Sequence, residues 1–468
     1  MIDINQTKTI YFLAICGTAM SSLAAMLKRK GFRVYGTDDG VYPPMSTFLQ
    51  EQDIPVYAGY DVSHLDPRPD LVVVGNAISR GNCEIEEILD RRIYYVSLPD
   101  AMRDFFLRDS RSIVVTGTHG KTTTSSLLAY IFDYAKRDPN FLIGGIPLNF
   151  GRGFQIGEGN EFIIEGDEYD SAFFDKTSKF LKYCPTVGII NGIEFDHVDI
   201  FSSLEEIKIA FRRFVNLIPR NGLLVINRDS EVAIEVSKKA LCPVITYGLT
   251  ADSDWKATNI RVTAEGTFFD AVYDNRRRGD IYLSIDGEYN IRNALAAVAV
   301  ATYSGIDFET IIKACADFKG VRRRCELKGS IAGIDIYDDF GHHPTAIRET
   351  LATLRRKYPE RRIWALFEPR SASTRRNIFQ KAFVPAFIDA DYVLVAPVYR
   401  VEQIASEEVL DVFQLIKDLC DKNKGAKQFN SIDDILVYLK TRLQKGDIII
   451  TFSNGSFGNI HQRLLTMI

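Results

Sequence analysis

Short apolar, β-branched runs alternate with longer amphipathic stretches along almost all of the 468 residues. A strand covered on both faces reads as a continuous apolar run, and the crossover helix that follows reads as a longer amphipathic one. Their alternation predicts an α/β protein built on parallel sheets. At roughly 150 residues per domain, the length leaves room for about three domains.

Three blocks emerge. In the first, 1–107, a strand over 10–15 runs into a small-residue turn and a helix over 20–28, followed by strands ending in Asp38 and Asp39 and in VVVGN. This is a Rossmann-like opening. The turn AICGTAM lacks the first glycine of a dinucleotide fingerprint, because Ala14 stands there. An incomplete fingerprint argues weakly for NAD; a phosphate-bearing nucleotide at the helix N-terminus suits it better. The charged stretch RDFFLRDSRS (103–112) reads as a junction. The second block, 108–321, is a P-loop ATPase-like unit with a mostly parallel sheet. Its strands are expected over 113–115, 161–168, 186–194, 222–229 and 243–248, then a hairpin region over 254–290 and a helix over 292–304. The third block, 322–468, is again Rossmann-like, with strands over 334–340, 362–368, 391–397 and 447–453.

Charge narrows the partners. With 57 basic and 61 acidic residues, the net charge is −4, so no basic field is available for nucleic acid. Runs such as Arg276–Arg278 read as solvated faces. The apolar stretch 294–303 is far too short to span a bilayer, and no membrane insertion is expected. The start MIDINQTKTIYFLAI lacks the charged head, apolar stretch and cleavage site of a signal peptide. The seven cysteines are odd in number and lack CxxC spacing, so neither a disulfide framework nor a zinc site is expected, and a cytoplasmic setting follows.

Residues 116–125 read TGTHGKTTTS. A strand before it and a helix after it give the context of a phosphate cradle, although only Thr118 and His119 separate Gly117 from Gly120. The glycines let the backbone approach a polyphosphate, Lys121 neutralises it, and the Thr122 hydroxyl can reach Mg²⁺. Glu165 in IIEGDEYD and His197 in EFDHVD fall at or just past strand ends on the same edge of the sheet, where α/β proteins bind ligands. A carboxylate and an imidazole there suit a magnesium ion bridging phosphates. The stretch YDDFGHHP (337–344) ends a strand in two carboxylates and two imidazoles. Asp339 can accept from ribose hydroxyls and the imidazoles can meet a phosphate; alternatively the four form a divalent-metal cluster. Arg323 and Arg324 can bring fixed positive charge to the same place.

TGTHGKTTTS, IEGDEYD, EFDH, GEYNIRNALAA, FKGVRRRCELKG and YDDFGHHPTAI occur here in that order. Together they resemble the Mur ligases, ATP-dependent amide ligases of peptidoglycan assembly, over essentially the whole chain. The shortened Gly-x-x-Gly-Lys-Thr loop is that family's form. The resemblance implies a bacterial enzyme, a monomer or weak homodimer, using ATP and Mg²⁺. It places Gly117, Thr118, His119, Gly120, Lys121, Thr122 and Thr123 at the nucleotide phosphates. It places Thr122, Glu165 and His197 at magnesium, and Asn290 and Asn293 on the adenine side, with Tyr289 where relatives often carry His. Arg324 and Asp339 would contact phosphate and ribose; Lys121, His197 and His343 would serve catalysis. Gly17, Thr18, Ala19 and Met20, with Asn76 nearby, would hold UDP-N-acetylmuramate. Arg370 and Ser371 fall in the amino-substrate motif.

Within the family two activities are open. One joins L-alanine to UDP-N-acetylmuramate. The other returns the recycled tripeptide L-alanyl-γ-D-glutamyl-meso-diaminopimelate, a cell-wall peptide, to the same nucleotide. AICGTAM, VYPPMSTFL, EYDSAFFDKTSKF, LFEPRS and SNGSFGNIHQ resemble the recycling enzyme, and FFDKTSKFLKYC lengthens the interval between Glu165 and His197 in its direction. The rivals outside the family are an NAD-linked oxidoreductase and a nucleotide-binding regulator without turnover.

Overall fold

The structure is a computed structural model that describes residues 6–263 and 265–467. Residues 1–5 of the opening segment lie outside the described residues.

Three large sheets follow one another along the chain, and a two-stranded one, Asp170–Ala172 with Asp175–Ser178, accompanies the second. The first has five parallel strands in the order Val56–Ala58, Arg33–Asp38, Thr9–Leu13, Leu71–Val74, Tyr95–Ser97. Its opening strand stops at Leu13, two residues short of the expected end, because Ala14 adopts φ 61°. Alanine thus occupies the left-handed position that the missing glycine would take freely. The helix Thr18–Arg29 then begins on Gly17, with Met20 through Leu27 buried against the sheet.

The central sheet has ten strands. Parallel strands Val244–Gly248, Leu223–Asn227, Val187–Ile190, Arg111–Thr116, Glu161–Glu165 and Asn140–Leu142 lie side by side. Three of them, Leu223–Asn227, Val187–Ile190 and Arg111–Thr116, are nearly continuous in β-branched or leucine residues, as burial on both faces requires. The expected hairpin region is a three-stranded antiparallel extension, Trp255–Val262, Thr267–Tyr273 and Arg276–Leu283. The helix Glu288–Tyr303 carries ALAAVAVA at 294–301, every residue at 0–1% exposure. Small side chains there let the neighbouring helix Lys121–Tyr134 approach closely. Replacing one with leucine would overpack the site at a cost of about 1–3 kcal/mol.

The third sheet has six strands. Ile334–Asp339, Ile448–Phe452, Ile363–Phe367, Tyr392–Val395 and Gly425–Gln428 are parallel, and Glu326–Ile331 adds an antiparallel edge. The α/β class with mostly parallel sheets is therefore as the alternation implies.

The charged stretch after residue 102 is not an exposed linker. Arg103–Leu107 forms a wide, π-helical turn whose Phe105 and Phe106 are buried. Its charges are paired locally, Arg103 with Asp104 at 2.7 Å and with Asp100 at 3.0 Å. Phe106 meets Phe162 of the central sheet with ring centres 6.2 Å apart, and Phe48 meets Phe154 at 5.8 Å. One apolar cluster thus runs from the first sheet into the central one. No helix among the described residues is long and apolar enough to cross a membrane.

Candidate functional site

A cleft of about 810 Å³ opens where the parallel strands of the central sheet end, with the third sheet facing it. Thr116 closes the strand Arg111–Thr116, and the loop 117–120 leads into the helix Lys121–Tyr134. Gly117 and Gly120 have φ 120° and 78°. A Cβ on Gly120 would sit 2.2 Å from Asn293 Oδ1 and 2.8 Å from Asn191 Nδ2, so only glycine fits. The loop is tied down by its neighbours: Thr118 N–H donates to the Gly192 carbonyl at 2.7 Å, and Glu194 N–H donates to Thr118 Oγ1 at 2.9 Å. Backbone N–H groups at the helix start, beside the dipole's positive end, make this an anion cradle.

Lys121 reaches back over the loop. Its Nζ donates to the Gly117 carbonyl and to Glu168 Oε2, both at 2.6 Å. Burial alone would lower the Lys121 pKa, but Glu168 and Asp167 more than offset it, so the ammonium is retained. Burial raises the Glu168 carboxyl, with Lys121 and His197 pulling the other way. Glu168 Oε1 is buried without a hydrogen-bond partner. Thr122 Oγ1 donates to Glu165 Oε1 at 2.9 Å and accepts from Arg324 Nη2 at 3.1 Å, while Gly144 N–H donates to Glu165 Oε2 at 2.7 Å. His197 lines the same cleft in the left-handed region at φ 56°, its ring 4.5 Å from that of Tyr169. Non-glycine residues held there cluster at functional sites. The Thr122 hydroxyl, the Glu165 carboxylate and the His197 imidazole all line this acidic cleft, donor types that suit a small divalent cation.

Asn293 Oδ1 accepts from Thr124 Oγ1 at 3.2 Å and its Nδ2 donates to Asn290 Oδ1 at 3.2 Å, so Asn290 braces Asn293, which is the one of the pair that lines the cleft. Tyr289 also lines it. Thr123 is buried at the helix start and lines it too.

The third sheet contributes Arg324, Asp339 and the turn after it. Asp339 accepts from Cys325 N–H at 2.7 Å and Gly341 N–H at 2.5 Å, and burial pushes its pKa up to about 6 despite Arg324. His343 caps the helix Pro344–Lys357, its Nδ1 accepting Thr345 N–H at 3.2 Å, with Pro344 at the first helical position. Burial is the main cause that lowers its pKa to about 4, which keeps the ring neutral. Across the cleft, Ser373 Oγ donates to Asp196 Oδ1 at 2.6 Å and Thr345 Oγ1 donates to Glu194 Oε2 at 2.8 Å.

The geometry corrects three readings. Asp338, Asp339, His342 and His343 do not form one metal cluster. Successive strand residues point to opposite faces. Asp338 pairs with Arg323 at 3.1 Å and His461 at 3.3 Å, away from Asp339. His342 faces Asp196 at 3.8 Å, whereas His343 faces Glu194. Arg323 is likewise lost to the cleft: its guanidinium donates to Asp338 and to the carbonyls of Ser453 and Gly455. Met20 is 6% exposed and its side chain belongs to the first core. Of its turn, Ala19 lines the cleft, while Gly17 caps and Thr18 starts the helix. Asn76 donates to Asp170 at 2.9 Å, joining the first sheet to the hairpin Asp170–Ala172 and Asp175–Ser178. Ser371 lines the cleft; Arg370 stacks 3.9 Å from the Tyr399 ring centre beside it. Glu168, Glu194 and Lys179 were not singled out from the sequence. Glu168 and Glu194 lie inside the quoted motifs, and Lys179 lies in the segment that lengthens the Glu165–His197 interval, pairing with Asp167 at 2.7 Å.

This fold and cleft define a nucleotide-phosphate-binding α/β protein in which two sheets share one acidic site. Three stretches match family descriptions: Mur ligase family, catalytic domain over 9–109; Mur ligase middle domain over 115–301; and Mur ligase, glutamate ligase domain over 323–455. The UDP-N-acetylmuramate--L-alanyl-gamma-D-glutamyl-meso-2,6-diaminoheptandioate ligase of Escherichia coli K12 is 39% identical over 458 residues, covering 97% of each chain. A UDP-N-acetylmuramate--L-alanine ligase of Alkaliphilus metalliredigens is 32% identical over 99% of this chain and 98% of its own. The crystal structure of a murein peptide ligase from Psychrobacter arcticus superposes with a TM-score of 0.74 at 36% identity, covering 98% of both chains. The chain belongs to the Mur ligase family.

Proposed function

We propose that this protein is an ATP-dependent ligase that joins L-alanyl-γ-D-glutamyl-meso-diaminopimelate to UDP-N-acetylmuramate in the bacterial cytoplasm. The observation that carries the reading is the meeting of a Gly-x-x-Gly-Lys-Thr cradle with Glu165, His197, Arg324, Asp339 and His343 in one cleft. The choice of peptide over L-alanine is supported by the greater identity to the peptide ligase, 39% against 32%. It is also supported by the hairpin after Glu168, which reaches the first sheet through Asn76 and lies in the segment that lengthens the interval. The domain limits we adopt are 1–107 for the UDP-N-acetylmuramate unit, 108–321 for the ATP unit and 322–468 for the amino-substrate unit.

An amide cannot form directly from a carboxylate, whose oxygen is a poor leaving group. The lactoyl carboxylate attacks the γ-phosphorus of ATP, giving an acyl phosphate and ADP. The peptide amine then attacks the acyl carbon, and the tetrahedral intermediate expels phosphate. The first step sets an anion against a polyanion. Lys121 and Arg324, fixed at the loop, offset that repulsion and stabilise the charge spreading over the transferred group. Thr122, Glu165 and His197 would hold Mg²⁺, which would supply positive charge to the phosphates. In this reading Asp339 would meet the ribose, Asn293 the adenine side, and the turn 17–19 the UDP pyrophosphate. The attacking amine must be neutral, so it gives up a proton before attack. Closure of the third unit over the loop keeps water from the acyl phosphate.

The test is phosphate release with ATP and UDP-N-acetylmuramate, comparing tripeptide with L-alanine. Higher kcat/KM for the tripeptide is expected; preference for L-alanine would transfer the protein to the other activity. Lys121→Ala should lower turnover by at least about a thousandfold with an unchanged circular dichroism spectrum, and near-parental turnover would remove the ligase reading.

A further inference from the structure

Glu194 sits where three chain segments meet. His119 Nε2 of the phosphate loop lies 3.1 Å from Glu194 Oε2, and His343 Nδ1 of the third unit lies 3.3 Å from the same oxygen. The three ligand atoms all lie within 4.8 Å of one another, and no other such group occurs among the described residues.

The His119 contact is an ordinary hydrogen bond, but the His343 contact is not. His343 Nε2 lies 3.3 Å from the Phe195 carbonyl, an acceptor only, so this nitrogen carries the ring proton. Nδ1 is then the lone-pair nitrogen, consistent with its acceptance of Thr345 N–H. It faces Glu194 Oε2 acceptor to acceptor. Glu194 Oε2, part-exposed on the cleft, already accepts from His119 and from Thr345 Oγ1 at 2.8 Å, so the His343 Nδ1 lone pair beside it is free for a cation.

We propose that His119, Glu194 and His343 form a binding site for a borderline transition-metal ion of the Zn²⁺ or Co²⁺ class, distinct from the magnesium position at Thr122 and Glu165. Metal–donor bonds of about 2.0–2.2 Å in a tetrahedron put donors roughly 3.4 Å apart. Two of the donor pairs already stand at 3.1 and 3.3 Å. Two imidazoles and one carboxylate select such an ion over Mg²⁺, which prefers six oxygens. The set is a three-ligand one, and the fourth position opens on the cleft, which both His119 and Glu194 line. Ligation takes the His343 Nδ1 lone pair from the Thr345 capping bond, which at 3.2 Å is already long, and shifts the His119 ring proton from Nε2 to Nδ1 so that Nε2 can bind the ion. Because His343 belongs to the third unit and His119 to the phosphate loop, the ion fastens one to the other. The inference does not depend on the ligase reading.

The experiment is Co²⁺ titration of the full-length, nucleotide-free protein, followed by visible absorption, with Zn²⁺ equilibrium dialysis alongside. One equivalent should bind with the intense absorption of tetrahedral cobalt, and a hundredfold excess of Mg²⁺ should not displace it. His119→Asn, Glu194→Gln and His343→Ala should each weaken binding at least tenfold and abolish the intense band, whereas His197→Ala should leave both unchanged. Circular dichroism identifies any variant that fails to fold; the parental spectrum and His197→Ala still decide the matter. Absence of a saturable equivalent, a weak octahedral spectrum, affinity of all three variants within twofold of the parent, or loss of the band in His197→Ala would each overturn the site.

Discussion

The first and third sheets meet the central one in opposite ways. The first is joined through an apolar cluster in which Phe106 packs on Phe162 and Phe48 on Phe154. The third is joined through polar contacts: Ser373 to Asp196, Thr345 to Glu194, Arg324 to Thr122, Lys357 to Asp286 and Arg356 to Glu288. Apolar burial is strong and non-directional, so it behaves as one core. Polar contacts are directional and local, and their groups exchange them for water when the two faces part. The first unit is thus built to stay, and the third to open and close. That division suits a reaction whose nucleotide must enter and whose acyl phosphate must be shielded.

The largest effect should come from breaking the apolar side. Phe106→Ala removes a ring that is 7% exposed at the junction, at a cost of about 3–5 kcal/mol. Urea unfolding measures it, and a loss below about 1 kcal/mol would show that the cluster is no shared core.

A second expectation concerns charge on the third unit's face of the cleft. Asp339 has its folded pKa raised from 3.8 to about 6 by burial. The folded state therefore binds the proton more tightly than the unfolded chain. The stability this contributes is complete below pH 3.8 and is lost as pH rises through 6. Asp339→Asn removes that loss. The melting temperature of the variant relative to the parent should rise between pH 4 and pH 7.5, and a constant difference would contradict the buried charge.

Smaller still is the effect expected of Ser373→Ala. If the third unit is docked rather than fused, Asp196 is solvated by opening instead of by unfolding. Global stability should change by no more than about 0.5 kcal/mol. Hydrogen exchange in residues 340–345 should quicken severalfold, and a large global loss would mean that the two units share a core. The smallest effect is that of salt. Raising NaCl from 0.1 to 1 M screens the pairs Lys357–Asp286 and Arg356–Glu288. A slight increase in the X-ray scattering radius of gyration of the nucleotide-free protein is expected, and Phe106 should keep its protection.

Much of this architecture is legible along the chain because it is written in local periodicities. Continuous apolar runs such as LVVV and VGII are strands buried on both faces, and TGTHGKTTTS announces a strand, an anion cradle and a helix. The order of motifs, from TGTHGKTTTS to YDDFGHHPTAI, places the chain among the Mur ligases. Even the substitution at Ala14 was visible, although its consequence, a left-handed alanine that ends the first strand early, was not.

The partners of the side chains were decided only in three dimensions. DDFGHH reads as four equivalent ligands, yet strand alternation and the helix cap send Asp338 to His461, Asp339 to backbone N–H groups, His342 to Asp196 and His343 to Glu194. RDFFLRD reads as a charged linker, yet its two phenylalanines lie in the core that joins two sheets. Glu194 is separated from His119 by 75 positions and from Thr345 by 151. No local pattern encodes contacts at that range. They follow from how whole sheets are set against each other, and it is there that the cleft acquires its clasp.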